Sequence, residues 1–165
     1  MQHLWSPWRR KYVEGDSKQD GCAFCREAQQ PDGPINLILF RGIHAFVILN
    51  RFPYTNGHLM VVANAHLPSF DLLDVPARSE MMELVNASTL ALYEVYHPAG
   101  FNIGANIGSA AGAGIADHVH IHVVPRWHGD TNFMSTLGET RVLPEELEYT
   151  YQRLSEVWPK LNPNA

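Results

Sequence analysis

The sequence predicts an α+β domain on an antiparallel sheet of about five strands, with a central amphipathic helix and a C-terminal helix. Three observations predict it. Short apolar runs at residues 45–49 and 58–62 read as strands, and the link between them ends in Asn56-Gly57, a hairpin signal. Between residues 76 and 96 the hydrophobic period becomes helical. Residues 118–124 then alternate with the period of two that belongs to a strand.

Taken in order, residues 1–34 form an irregular arm. Leu4-Trp5-Ser6-Pro7-Trp8 is interrupted by proline, residues 15–21 are polar, and Pro31-Asp32-Gly33-Pro34 is turn chemistry. Residues 36–40 read as a short buried strand ahead of the 45–49 and 58–62 hairpin. In the central helix Met81, Leu84, Val85, Ser88, Leu92, Val95 and Tyr96 share one face, and His97-Pro98-Ala99-Gly100 stops it. Residues 101–107 are strand-like with an interruption at Gly104, and residues 108–114 are a Gly/Ala loop. The strand at 118–124 is closed by Pro125. Pro144, Glu145 and Glu146 mark the start of a last helix within 142–160, with Leu147, Tyr151, Leu154 and Trp158 on one face. No repeat or linker divides the chain, so residues 1–165 are read as one domain with a core at 36–134.

Composition narrows the function classes. With 165 residues the chain can bury a core without disulfides, and a net charge of −5 offers no footprint for nucleic acid. Arg9-Arg10-Lys11 is a short basic cluster on a solvated face. No apolar run approaches the roughly 18 residues of a membrane span. Tryptophans and arginines stand where a signal peptide carries its apolar stretch, so a cytoplasmic location is expected. Two cysteines, Cys22 and Cys25, form one CxxC pair, which is half of a zinc site or a redox pair.

On an extended strand His118, His120 and His122 point to one face. Three imidazoles in a row are not a packing solution, because each buried ring needs hydrogen-bond partners. Two chemistries remain open: a three-histidine metal centre, or nucleophilic attack on phosphorus. The small residues of the loop before the strand, Gly108-Ser109-Ala110-Ala111-Gly112-Ala113-Gly114, would let backbone N–H groups approach a phosphate.

The run His118-Val119-His120-Ile121-His122-Val123-Val124 resembles the signature of the histidine-triad (HIT) superfamily. Leu49-Asn50-Arg51-Phe52-Pro53, Gly57-His58-Leu59-Met60-Val61-Val62 and Gly100-Phe101-Asn102-Ile103-Gly104-Ala105-Asn106 are similar to its nucleoside-binding hairpin and the strand before the triad. Trp5-Ser6-Pro7-Trp8-Arg9 and the segment from Pro125 to Met134 resemble a bacterial branch near the diadenosine polyphosphate hydrolases and phosphorylases.

The resemblance implies that His120 attacks the α-phosphorus of an adenine dinucleoside polyphosphate, such as diadenosine tetraphosphate, and carries the nucleotidyl group. It implies that the His118 carbonyl fixes the His120 tautomer, that His122 serves the leaving side, and that His58 lies near the same phosphate. Asn50 would hold the ribose and Asn106 would line the phosphate site. Many family members place Gly-Gln-Ser/Thr before the triad. This chain has Gly112-Ala113-Gly114-Ile115-Ala116-Asp117 instead, so backbone N–H groups at Gly112 and Gly114, with Ser109 or Asn106, would replace that contact.

The acceptor is water or phosphate. An adenosine phosphoramidate hydrolase and a slowly turning nucleotide sensor are the alternatives. Zinc-bearing members imply a structural ion on Cys22, Cys25, His66 and His118, and no organic cofactor. Family members commonly pair through the central helix, which implies a homodimer.

Overall fold

The computed structural model describes residues 21–130 and 145–161. The expectations placed on Trp5 to Arg9, on residues 131–134 and on Pro144 lie outside them. A five-stranded sheet runs β1 (Ile38–Arg41), β2 (Ala45–Leu49), β3 (Leu59–Ala63), β5 (His120–Arg126) and β4 (Gly100–Gly104) in spatial order, with antiparallel neighbours throughout. Strand β5 therefore returns between β3 and β4, so the histidines sit inside the sheet and not at its rim.

The register assigns the faces. Ile48 pairs with Met60 and Met60 with His122, while Phe46 pairs with Val62 and Val62 with His120. Paired residues share a face, and so do residues two apart. Both histidines thus stand on the face of Phe46, Ile48, Met60 and Val62. The opposite face is covered by helix α2 (Val75–Tyr96), which lies across β2, β3 and β5. Its buried stripe includes Met81, Leu84, Val85, Ser88 and Leu92, the positions its period predicts. The Asp74 carboxylate accepts the Ala77 N–H at 2.9 Å, and proline follows in the first turn, which starts the helix. His97 ends it in a left-handed conformation. Helix α3 (Leu147–Leu161) packs on α2 and β1, with Trp158 stacked on Phe40. No helix among the described residues is long and apolar enough to cross a membrane.

Several boundaries differ from the sequence reading: β3 is displaced by one residue, the last helix starts at Leu147, just past Glu146, and three further strand limits have identifiable causes. Strand β1 begins at Ile38 because Leu37 takes a φ of 64° and its N–H bonds back to the Gly33 carbonyl. Strand β4 stops at Gly104, where it leaves the sheet opposite His122. Strand β5 begins at His120 and runs through Pro125, because β3 ends opposite Val123 and only β4 flanks the proline. The arm also holds a short helix, α1 (Ala23–Ala28), that the irregular reading of residues 1–34 did not contain.

The hairpin turn supplies a test of packing. Gly57 has a φ of 75°, and a Cβ there would lie 2.7 Å from Leu92 Cδ2 on α2. The left-handed conformation alone costs a non-glycine residue about 1–2 kcal/mol. Gly57→Ala is expected to lower stability by at least that amount, read as a shift in urea midpoint at constant m-value.

Candidate active site and metal centre

Histidine geometry in this site is decided by backbone groups. His120 is 5% exposed, and its Nδ1 lies 2.8 Å from the carbonyl oxygen of His118. A carbonyl only accepts, so Nδ1 carries the proton and Nε2 keeps its lone pair. Burial pushes the His120 pKa below its usual 6.5, partly offset by the His118 bond, so the ring favours the neutral form. The ring edge of Phe24 packs on it at a centroid distance of 4.8 Å.

His122 takes the opposite tautomer. The Tyr54 backbone N–H donates to His58 Nδ1 at 3.2 Å, which leaves the His58 proton on Nε2. His58 Nε2 lies 3.0 Å from His122 Nδ1 and donates to it, so the His122 proton resides on Nε2. With ring centroids 4.9 Å apart, the two imidazoles present one lone pair and one N–H donor on the same face.

Both rings line a cleft of about 240 Å³. Its apolar walls are Phe24, Leu37, Ile48, Leu49, Phe52, Met60 and Ile115, and its polar groups include Arg26, Glu27, Asn50, Arg51 and Asn106. An apolar slot with a few convergent polar groups suits a small organic ligand that has one charged end. Asn50 is held in place, because its Oδ1 accepts the Phe52 N–H at 2.9 Å and its Nδ2 stands 3.3 Å from His58 Nδ1. Gly114 also lines the cleft. Ser109 and Gly112 occupy the exposed turn beside it and are not among the lining residues, and His58 is fully buried behind His122.

His118 is not among the residues lining this cleft and has other partners. It precedes β5, and its Nε2–H donates to the Ala63 carbonyl at 2.7 Å, which turns the Nδ1 lone pair away from the cleft. That atom lies 3.3 Å from Cys22 Sγ, 3.6 Å from Cys25 Sγ and 3.3 Å from His66 Nδ1. Cys25 Sγ is 3.3 Å from the same His66 atom, and the four ligand atoms all lie within 4.8 Å of one another. A tetrahedron's edge is about 1.63 times its bond, so zinc bonds of about 2.0–2.1 Å to nitrogen and 2.3 Å to sulfur require edges of about 3.3–3.8 Å. The four separations of 3.3, 3.6, 3.3 and 3.3 Å match. Burial, and then neighbouring Cys22, push the Cys25 thiol's pKa up, and a coordinated cation would act in the opposite direction.

The structure therefore brings His120, His122, Asn50, Asn106 and Gly114 to one cleft, and Cys22, Cys25, His66 and His118 to one cluster. Phe24 and Tyr54 were not singled out from sequence. Phe24 lies between the two cysteines, and that adjacency was the available signal. Tyr54 donates its backbone N–H to His58, a role that leaves no trace in residue type, and packs its ring on His58 at a centroid distance of 4.6 Å.

Comparison with known proteins agrees with this geometry. The HIT domain family model matches residues 36–129. The chain is 35% identical to an AP-4-A phosphorylase of Mycobacterium tuberculosis over 167 aligned residues, covering 97% of this chain and 86% of the relative. A Zn-bound histidine triad family protein from Mycobacterium smegmatis superimposes with a TM-score of 0.69 at 23% identity, over 88% of this chain and 98% of that one. The Plasmodium falciparum diadenosine triphosphate hydrolase gives a TM-score of 0.61 at 18% identity, over 81% of this chain and 80% of its own. At those identities the last two establish the fold alone.

Proposed function

This chain belongs to the HIT domain family, and from that premise we propose that it is a nucleotidyl hydrolase or transferase that splits an adenine dinucleoside polyphosphate through His120. The observation that carries the reading is the paired tautomers, a lone pair on His120 beside an N–H on His122 in one cleft. His120 Nε2 attacks the α-phosphorus, a P–N bond forms, and the P–O bond to the leaving polyphosphate breaks. The His122 Nε2–H lies on the leaving side, where it stabilises or protonates the departing oxygen. The charge on the substituted His120 ring is shared with the His118 carbonyl through Nδ1–H. An acceptor oxygen then attacks phosphorus, the P–N bond breaks, and its electron pair returns to Nε2.

Asn50 is the ribose partner, and Asn106 with the Gly114 backbone holds phosphate oxygens. Ser109 and Gly112 reach the polyphosphate from the flanking turn. The 35% identical phosphorylase supports phosphate as the acceptor over water. Incubation with diadenosine tetraphosphate, with and without phosphate, separates them. ADP and ATP formed only with phosphate mark a phosphorylase, and AMP and ATP without it mark a hydrolase. Binding with no product from that substrate would sink the proposed activity.

The acid limb of kcat/KM follows from the buried nucleophile. Protonation removes the lone pair, and burial lowers the His120 pKa from 6.5, so activity should persist as pH falls through 6.5 and fail below it. A limb governed by a group at 7 or above would contradict this assignment.

Cys22, Cys25, His66 and His118 would hold zinc as a structural ion that pins α1 to the sheet. A homodimer completes the proposal. Met82, Leu90 and Tyr93 on α2 and Ile103 on β4 are about half exposed, and light scattering after size exclusion tests their pairing.

A further inference from the structure

Helix α1 has six residues and serves two sites at once. Cys22, at its N-cap, and Cys25 face the metal cluster, while Ala23, Phe24, Arg26 and Glu27 line the cleft. So short a helix has no stability of its own. Its Cys22 cap makes no side-chain hydrogen bond. What holds it is tertiary. The fully buried Asn36 side chain donates to the carbonyls of Glu27 in the helix's last turn and of Gln30 just beyond it, and Phe24 is 4% exposed in the core. At its N-terminal end stand the two cysteines.

Two short paths connect the cluster to the nucleophile. The Phe24 ring packs edge-on against both His118 and His120, at centroid distances of 5.5 and 4.8 Å. His118 offers its ring to the cluster and its carbonyl to His120 Nδ1. We propose that α1 is a wall of the nucleotide cleft set by the ion, so that metal occupancy at Cys22, Cys25, His66 and His118 and nucleotide occupancy beside His120 are thermodynamically linked, with Phe24 as the positioning residue between them. The proposal rests on the nucleotide reading above.

Linkage is reciprocal, so each ligand tightens the other by one factor. AMP binding is measured by calorimetry on zinc-loaded protein and on protein stripped with a chelator and dialysed. Zinc affinity is measured by competition with a chromophoric chelator, with and without saturating AMP. The expected result is AMP binding at least about fivefold weaker after stripping, and zinc binding tightened by AMP by that same factor. Equal AMP affinity in the two forms overturns the coupling alone. AMP bound by neither form overturns the nucleotide reading, and this proposal with it.

General loss of fold on stripping is separated by Phe24→Leu, which keeps an apolar side chain but removes the ring edges. That variant should bind zinc as the parent does, while its coupling factor falls toward one. Undiminished coupling in the variant would show that Phe24 does not carry it.

Discussion

Replacing His120 with alanine is expected to reduce turnover of diadenosine tetraphosphate by at least about 10⁴-fold, the scale of losing a covalent nucleophile. AMP affinity should stay within about an order of magnitude, because Asn50, Asn106 and the apolar walls remain. His122→Asn should be milder, about 10²–10³-fold, since it weakens one donor to developing charge and leaves the attacking atom in place. His118→Ala should behave differently from both. The carbonyl that fixes the His120 tautomer belongs to the backbone and survives, so the direct loss falls on the cluster. Steady-state kinetics with parallel calorimetry separate the three. Turnover that survives His120→Ala would move the attack to another group.

Removal of the ion should have the largest effect on stability. A ligand at a thousand times its Kd adds about 4 kcal/mol to the folded state. For a chain of this size each kcal/mol is worth about 2–4 °C, so chelation should lower Tm by about 8–16 °C. Cys22→Ser with Cys25→Ser should show the same drop and no response to added zinc. His120→Ala should retain its metal, because His120 is not among the four clustered residues. Elemental analysis of the purified protein and scanning calorimetry check both statements. An unchanged Tm after chelation of a protein shown to contain zinc would remove the structural role.

Local signals carried the fold where they were strong. Strand β2 spans the residues its apolar run indicates, and α2 starts one residue before the position its proline marks. Both depend on period and caps, which neighbouring residues encode. Helix α1 was missed because it is short, its cap makes no side-chain bond, and its support comes from Asn36 and the core. The shift of β1 turns on Leu37 in a left-handed conformation, which no residue type there announces. In the site, alternation identified His120 and His122 on one face. It grouped His118 with them, and it was the family resemblance, not the period, that pointed the His118 ring toward Cys22 and Cys25. His118 and Val119 precede β5, and the Val119 N–H bonds to the Leu67 carbonyl instead of the sheet. The resemblance anticipated the His120 tautomer, but those of His118, His58 and His122 were beyond sequence, because the groups that select them are the Ala63 carbonyl and the Tyr54 amide.

The cluster has one further property, and it concerns biosynthesis. Cys22 and His118 are 96 positions apart. At about 5–20 residues per second, a ribosome needs about 5–20 s to make the chain between them. During that interval the two thiols have left the synthesis site as a bidentate pair, without the imidazole that completes the set. His118 directly precedes β5, which lies between β3 and β4 and is the last strand of the sheet to be synthesised. A metal held by all four residues would therefore record that the strand after His118 has been made, and a chain that stalls before that step would leave its cysteines exposed to oxidation and to other metals.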